Sequence, residues 1–389
     1  MQRKGVALVG SRGIPAKYGG GETFVEELSK SLISDYNVFV SCQSNRFEEE
    51  VFEGIKLIKF PLIYISNIEI PYLNHIIPTL YLIKKYKNSI SLVYYISPGG
   101  GIAAPLCKKF GIKTLVNADG IEWKRIDKRI QFIPFYKKPI YILAKFLLFL
   151  SEIMACKLPD ITIADARNIK KHLQRVHRVK KVIFIPYGSR KLINSTLTEK
   201  DELNVLNRFQ LNKNEYYLTV ARIVAENNIH IEIEGFIKSG SKKKLVIVGN
   251  FNKKDSYTNY LLGLKKENNN IIFLDPIYDK KELGIIRKNC YAYIHSYEIG
   301  GTNPSLLEQM AFIKPIIAYD VSFHREILKK GGIFFSDTNE LSKKINDLEF
   351  GVKLKQNYGY IYNKRIIEEY NWKKVVSKYK VLIEKLINE

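Results

Sequence analysis

Repeatedly along this chain a short, almost wholly apolar run ends in a glycine-rich turn and passes into a stretch with helical spacing. GVALVG at 5–10 leads into SRGIPAKYGGGE, and CYAYIHS at 290–296 leads into the GGTNPSLLEQMA segment. A strand that is apolar along its whole length is buried on both faces, and a helical crossover returns the chain to a parallel neighbour. The alternation recurs on both sides of a polar, irregular stretch at Ser189–Thr198, which reads as a linker. Before it, strands are expected at Gly5–Gly10, Val38–Cys42, Ile55–Phe60, Ser91–Ser97, Thr114–Asn117, Ile161–Ala164 and Lys181–Ile185, with a first helix over about Glu22–Ile33. After it, strands are expected at Tyr217–Ala221, Lys244–Gly249, Ile271–Leu274, Tyr291–His295 and Pro315–Tyr319, with helices at Asn228–Lys238, Lys280–Lys288 and Pro304–Phe312. The fold class this predicts is α/β, as two tandem Rossmann-like domains with a ligand cleft between the carboxyl ends of their sheets. The expected domains are 1–190 and 199–365. Residues 366–389 have apolar positions at helical spacing and read as an amphipathic helix packing back on the first domain.

A length of 389 residues suits two cores, and 46% hydrophobic with 26% charged residues is the balance of a soluble globular protein. Cys42, Cys107, Cys156 and Cys290 form no C-x-x-C pair, which argues against a disulfide framework or a cysteine zinc site and suits a reducing cytoplasm. The N-terminal MQRKGVALVG runs straight into a strand, so no signal peptide is expected. The most apolar segment, IYILAKFLLFLSEI at 140–153, is interrupted by Lys145 and Glu152 and reads as too short to span a bilayer. Net charge is +23, and residues 124–191 hold 17 Lys and Arg against four acids, a local excess of +13. A basic stretch around an apolar segment suits an anionic membrane surface, although a solvated basic face has the same composition.

Three loops lie where ligands meet an α/β sheet. In the GGTNPSLLEQMA segment, Asn303 is placed to cap a helix and Pro304 to open it, where its missing N–H is not needed. Gly300 and Gly301 let backbone approach a ligand, Thr302 and Asn303 offer N–H groups to an anion, and Glu308 one turn on suits a ribose diol. In the first loop, Gly19, Gly20 and Gly21 precede Glu22 at a helix start; backbone N–H groups there can meet a phosphate, while Glu22 also favours a helix N-terminus in its own right. Arg222 follows a strand and suits a diphosphate, or simply caps or decorates the surface. Asn227 or Asn228 is expected to cap the next helix. Asp119 follows another strand and either meets a substrate hydroxyl or forms a turn.

Several chemistries are missing from the sequence. There is no D-x-D, H-E-x-x-H, P-loop or G-x-S-x-G, and the six histidines do not cluster along the chain. No metal and no cofactor are expected. The motifs SRGIPAKYGGGETFVEELSKSL, NADGIEWKR, ARIVAENNI, FLDPIYD and GGTNPSLLEQMA resemble those of family 4 glycosyltransferases of GT-B fold, and more narrowly bacterial polysaccharide rhamnosyltransferases. The resemblance covers nearly the whole chain. It implies a retaining, metal-independent transfer of a sugar, rhamnose from dTDP-rhamnose as first choice, to a lipid-linked saccharide. Donors would be dTDP- or UDP-linked, and the location cytoplasmic, peripheral on the inner face of the cell membrane. By the same resemblance Arg222 neutralises the leaving diphosphate, Glu308 binds the ribose, the Gly19–Gly21 loop covers the reacting phosphate and acceptor, and Asp119 takes the place of a catalytic histidine or aspartate. Two departures stand out. The family's paired glutamates have seven residues between them, which puts Gly300 opposite Glu308, with Glu298 the nearest acid. The lysine that often follows the family arginine gives way to Glu226-Asn227-Asn228. The competing classes are another GT-B enzyme, such as a nucleotide-sugar epimerase, and a non-enzymatic polyanion-binding protein. The latter lacks any nucleic-acid-binding module, so no nucleic-acid partner is expected.

Overall fold

The computed structural model describes residues 3–16, 20–62, 64–65, 68–69, 72–118, 120–189, 198–266, 268–351 and 357–389. The chain divides into two compact units. One comprises Met1–Trp123, Leu143–Gly188 and Trp372–Glu389, the other Lys124–Ile142 and Ser189–Asn371. Part of the basic middle of the sequence therefore belongs with the second unit, and the C-terminal helix with the first.

The first unit contains strands β1 (Gly5–Val9), β2 (Asn37–Ser44), β3 (Glu48–Phe52), β4 (Ile55–Pro61), a two-residue hairpin β5 (Tyr64–Ile65) and β6 (Ile68–Glu69), then β7 (Ile90–Tyr95), β8 (Lys113–Ala118), β9 (Ile161–Ala164) and β10 (Val182–Phe184). Its main sheet has the order β10-β9-β8-β7-β1-β2-β4-β3. Every pair is parallel except β3–β4, so the expectation of a wholly parallel sheet fails at one edge. β1 lies at the centre, with Val6 paired to Val38 on one side and Leu92 on the other. All five of its residues are buried, which is why its run is continuously apolar.

The Trp372–Asn388 helix closes this unit through aromatic contacts. Phe24 lies 6.1 Å from the Trp372 ring and 5.3 Å from Tyr379, and Tyr379 lies 5.6 Å from Tyr94. The hydroxyls of Tyr94 and Tyr379 are 3.1 Å apart, so the buried phenols satisfy each other. Gly188 sits against the Trp372 ring, where a Cβ would come within 2.3 Å.

The second unit contains β11 (Tyr216–Val220), β12 (Lys244–Val248), β13 (Ile271–Leu274), β14 (Ala292–His295), β15 (Ile316–Tyr319) and β16 (Ile333–Phe335). The order is β13-β12-β11-β14-β15-β16, all parallel. Numbered within the unit this is 3-2-1-4-5-6, the doubly wound arrangement, with its switch point between β11 and β14. The core packs Tyr217, Ile233, Phe236, Leu245, Ile247, Ile294, Ile317 and Leu341.

The apolar middle segment is longer than its sequence suggests. A 3-10 turn at Phe135–Lys137 runs into one helix, Lys138–Lys157, and the 23 residues together are long and apolar enough to cross a membrane. Lys145 and Glu152 do not interrupt it. The Lys145 ammonium lies 5.6 Å over the Trp123 ring, and Glu152 is buried among histidines. Ser151, Glu152, Ala155 and Cys156 are buried, whereas Phe135, Tyr136, Ile140, Ile142, Leu143 and Phe146 are each more than half exposed.

Candidate active site

At the switch point of the second sheet, the loops after β11 and β14 are stitched together. Asn228 adopts a left-handed conformation (φ 51°) and donates from Nδ2 to the Ser296 carbonyl at 3.3 Å and to Glu298 Oε2 at 2.9 Å. It therefore stands at the helix N-cap position without capping by its side chain, contrary to the sequence expectation; the cross-loop acceptors win. Asn227 Nδ2 donates to the Arg222 carbonyl at 2.7 Å and folds the first loop on itself. The Ser296 hydroxyl lies between the Asn227 carbonyl and Glu232 Oε1.

Glu232 is fully buried and also accepts from the Thr219 hydroxyl at 2.6 Å. Burial pushes its carboxyl up to about 8, against the opposing hydrogen bonds from Ser296 and Thr219. In the same unit, burial holds His295 well below its usual range and His324 down to about 4, so both imidazoles are neutral at pH 7. These three buried groups carry no motif and were not singled out from sequence.

Arg222 lies two residues past the end of β11 and its side chain is exposed. Glu308 is held quite differently. Asn303 caps the Pro304–Met310 helix, its Oδ1 accepting from Ser305 N at 2.9 Å; the helix ends two residues before the expected Phe312. From the neighbouring Lys280–Asn289 helix, the fully buried Arg287 donates to Glu308 Oε2 at 3.2 Å, Ser305 Oγ at 2.8 Å and Gln309 Oε1 at 3.2 Å. Ser305 Oγ in turn donates to the Val220 carbonyl at 3.0 Å, tying the helix to the end of β11. An ion pair of this kind fixes the carboxylate's direction while leaving Glu308 partly exposed. Gly301 and Thr302 are buried, whereas a Cβ added to Gly300 would meet nothing within 4 Å. Packing within the described residues does not require glycine at that position.

The residues that depart from the family pattern have partners. Glu226 is buried and paired with Arg129 through two hydrogen bonds, one of them Nε to Oε2 at 3.0 Å. Glu298 Oε2 accepts from Lys128 at 2.6 Å. Both cations come from the Glu122–Arg129 helix, far from Glu226 and Glu298 in sequence, which no local motif signals.

In the first unit, Gly20 and Gly21 form the opening of the Gly20–Leu32 helix, two residues earlier than expected, with Glu22 in its first turn; Gly19 lies outside the described residues. Asp119 also lies outside them, between the end of β8 and the buried Gly120. The loops after β1 and β7 converge on His75, a residue that sequence reading passed over. Its Nε2 is 3.0 Å from Ser97 Oγ, and a Cβ on Gly10 (φ 99°) would strike its ring at 2.2 Å. Burial lowers His75 to about 4. A small cleft nearby is lined by Ser11, Ser41, Gln43, Phe60, Asn74 and Pro78.

The histidines, scattered in sequence, do cluster in part: His172 and His177 both contact Glu152. All four cysteines are buried and unpaired with one another.

Comparison with known proteins agrees with this architecture. Residues 3–190 match a domain of unknown function, DUF1972, and residues 204–365 match glycosyl transferases group 1. An uncharacterized glycosyltransferase, MJ1069, of Methanocaldococcus jannaschii is 34% identical over 126 residues, which is 31% of this chain and 32% of that protein's length. Sucrose-phosphate synthase from Thermosynechococcus elongatus is similar in structure with a TM-score of 0.79 at 17% identity, over 99% of this chain and 100% of that one. Anabaena Alr3699/HepE in complex with UDP-glucose gives 0.72 at 13% identity, over 98% of this chain and 99% of that one. The fold is that of GT-B glycosyltransferases, and residues 204–365 form a glycosyltransferase group 1 domain.

Proposed function

We propose that the protein transfers a sugar from a nucleotide-diphosphate donor, held by the second unit, to a lipid-linked saccharide in cell-surface polysaccharide synthesis. The observation that carries this reading is the Glu308 carboxylate, oriented by the buried Arg287 next to the switch point of a group 1 domain. Open α/β sheets bind ligands at that point, and a fixed carboxylate there suits a ribose diol. The neighbour solved with UDP-glucose supports a nucleotide-sugar donor. Arg222, exposed after β11, takes the leaving diphosphate, assisted by the backbone at Gly300–Asn303. Negative charge developing on the departing phosphate is what such groups stabilise.

In this reading the transfer is retaining and metal-independent, and rhamnose from dTDP-rhamnose is the first donor to test, on the strength of the sequence motifs. Asp119, with Gly19–Gly21 and Glu22, serves the acceptor side. The acceptor's lipid and the exposed, lysine-flanked half of the Lys138–Lys157 helix together support a peripheral site on the inner membrane face.

A thermal-shift screen of nucleotide sugars, with free dTDP and UDP as controls, tests donor binding. The expected result is a rise in melting temperature with one base class, lost in Glu308→Gln. No shift with any nucleotide would overturn the donor site.

A further inference from the structure

Outside the donor loops, three ligand-type side chains converge in the first unit. Glu152 projects from the Lys138–Lys157 helix, His172 from the Arg167–Val176 helix, and His177 directly follows that helix. His172 Nε2 and His177 Nε2 lie 2.8 and 2.6 Å from the same carboxylate oxygen, Glu152 Oε1. One potential ligand atom from each of the three residues lies within 4.8 Å of the others. Glu152 and His177 side chains are each 4% exposed, and His172 13%.

As a purely hydrogen-bonded cluster this is an uneven arrangement. Both imidazoles crowd one oxygen, while the second, Glu152 Oε2, is buried without a hydrogen-bond partner among the described residues. Leaving a buried carboxylate oxygen unsatisfied is costly.

We propose that Glu152, His172 and His177 form a binding site for a divalent transition metal, with zinc the best match to two imidazoles and a carboxylate. A metal between them replaces the two N–H donors, and the freed carboxylate can use either oxygen. Zinc takes such ligands at about 2.0–2.2 Å, so neighbouring ligand atoms sit about 3.3 Å apart. The two imidazole nitrogens would each sit about 0.5–0.7 Å further from the carboxylate oxygen to reach that. Imidazole ligands favour zinc over magnesium or calcium. Trp123 and Phe149 line the site: Phe149 is 5.6 Å from His177 and 5.7 Å from Trp123, which is 6.4 Å from His172. The partial exposure of His172 gives the ion a way in. The metal pins the buried end of the Lys138–Lys157 helix to the Arg167–Val176 helix, a structural role that leaves sugar transfer metal-independent.

The test uses the full chain, stripped with a chelator and reloaded with Zn²⁺ or Co²⁺ alone. We expect one equivalent of metal per chain, a tetrahedral Co²⁺ absorption spectrum without a thiolate charge-transfer band, and a melting temperature raised by about 5 °C and reversed by chelator. Glu152→Gln and His172→Gln should each lose the spectrum and the chelator-sensitive shift. If Glu152→Gln does not fold, the partly exposed His172→Gln and chelation of the wild type decide. Substoichiometric metal with no chelator-sensitive shift would overturn the site. So would a thiolate band, which would put the metal on a cysteine, or unchanged Co²⁺ binding in His172→Gln.

Discussion

Arg222 and Glu308 stand at the same switch point but are held in different ways, and their substitutions should separate. Arg222 is exposed, so Arg222→Ala should keep its melting temperature, within the roughly 0.5 kcal/mol typical of surface changes. Its turnover should fall about 10²- to 10³-fold if it stabilises the leaving diphosphate. Steady-state kinetics and calorimetry on one sample check both; unchanged turnover removes the assignment. Gly300 offers a second separation, because a Cβ there meets nothing within 4 Å. Gly300→Ala should fold normally yet bind donor at least about tenfold more weakly, roughly 1.4 kcal/mol, read by isothermal titration. Equal donor affinity in that variant would mean that the ligand does not approach Gly300.

Glu232 gives a pH signature. Its folded-state value of about 8 lies above the ordinary 4.5, so the folded state holds the proton more tightly. The stabilisation is complete below pH 4.5 and is lost as pH rises through about 8. Glu232→Gln should flatten that decline and melt a few degrees higher than wild type at pH 8, measured by thermal denaturation across the range. A wild-type slope unchanged by the substitution would place the titrating group elsewhere.

At the scale of elements, the Lys138–Lys157 helix has two halves with different neighbours. The C-terminal half buries Ser151, Glu152, Ala155 and Cys156, while Ile140, Ile142, Leu143 and Phe146 face solvent beside Lys137, Lys138 and Lys145. A helix exposed along one half and flanked by cations suits the interface plane of an anionic bilayer. Flotation should therefore be stronger with anionic than with neutral vesicles, weaken with salt, and drop in Phe146→Glu. Equal flotation with both vesicle types would mark the charge as ordinary solvated surface.

The elements legible in sequence were those whose pattern reports their own burial. β1, β9, β11, β12, β14 and β15 are mostly apolar because both faces are covered. β3, EEEVF, was illegible for the opposite reason: it is an edge strand whose acids find partners on other elements. Glu50 pairs with Lys59 at 2.7 Å, and Glu49 accepts from Tyr81 at 2.6 Å and Lys85 at 2.8 Å. The donor loops were legible because glycine, Asn303 and Pro304 have local conformational meanings. The Arg287 anchor behind Glu308, the Arg129–Glu226 pair and the Glu152–histidine cluster were not. Each joins residues about twenty or more positions apart, and nothing in a local window distinguishes their members from surface charges.

For the molecule as a whole, two doubly wound units divide the work. In the proposed reading the second unit, which carries the group 1 match, holds the donor and the first offers the acceptor side; the histidine cluster lies in the first unit, and the Lys138–Lys157 helix contributes residues to both. Sugar transfer is tested most directly by mass-spectrometric detection of glycosylated product. The wild type and Arg222→Ala would each be incubated with donor, dTDP-rhamnose first, and a lipid-linked saccharide. The expected result is an acceptor heavier by one sugar residue, with release of the nucleoside diphosphate in equal amount, and near-background product from Arg222→Ala. Conversion of the donor to an isomer with no product on the acceptor, or equal yields from the two proteins, would contradict it.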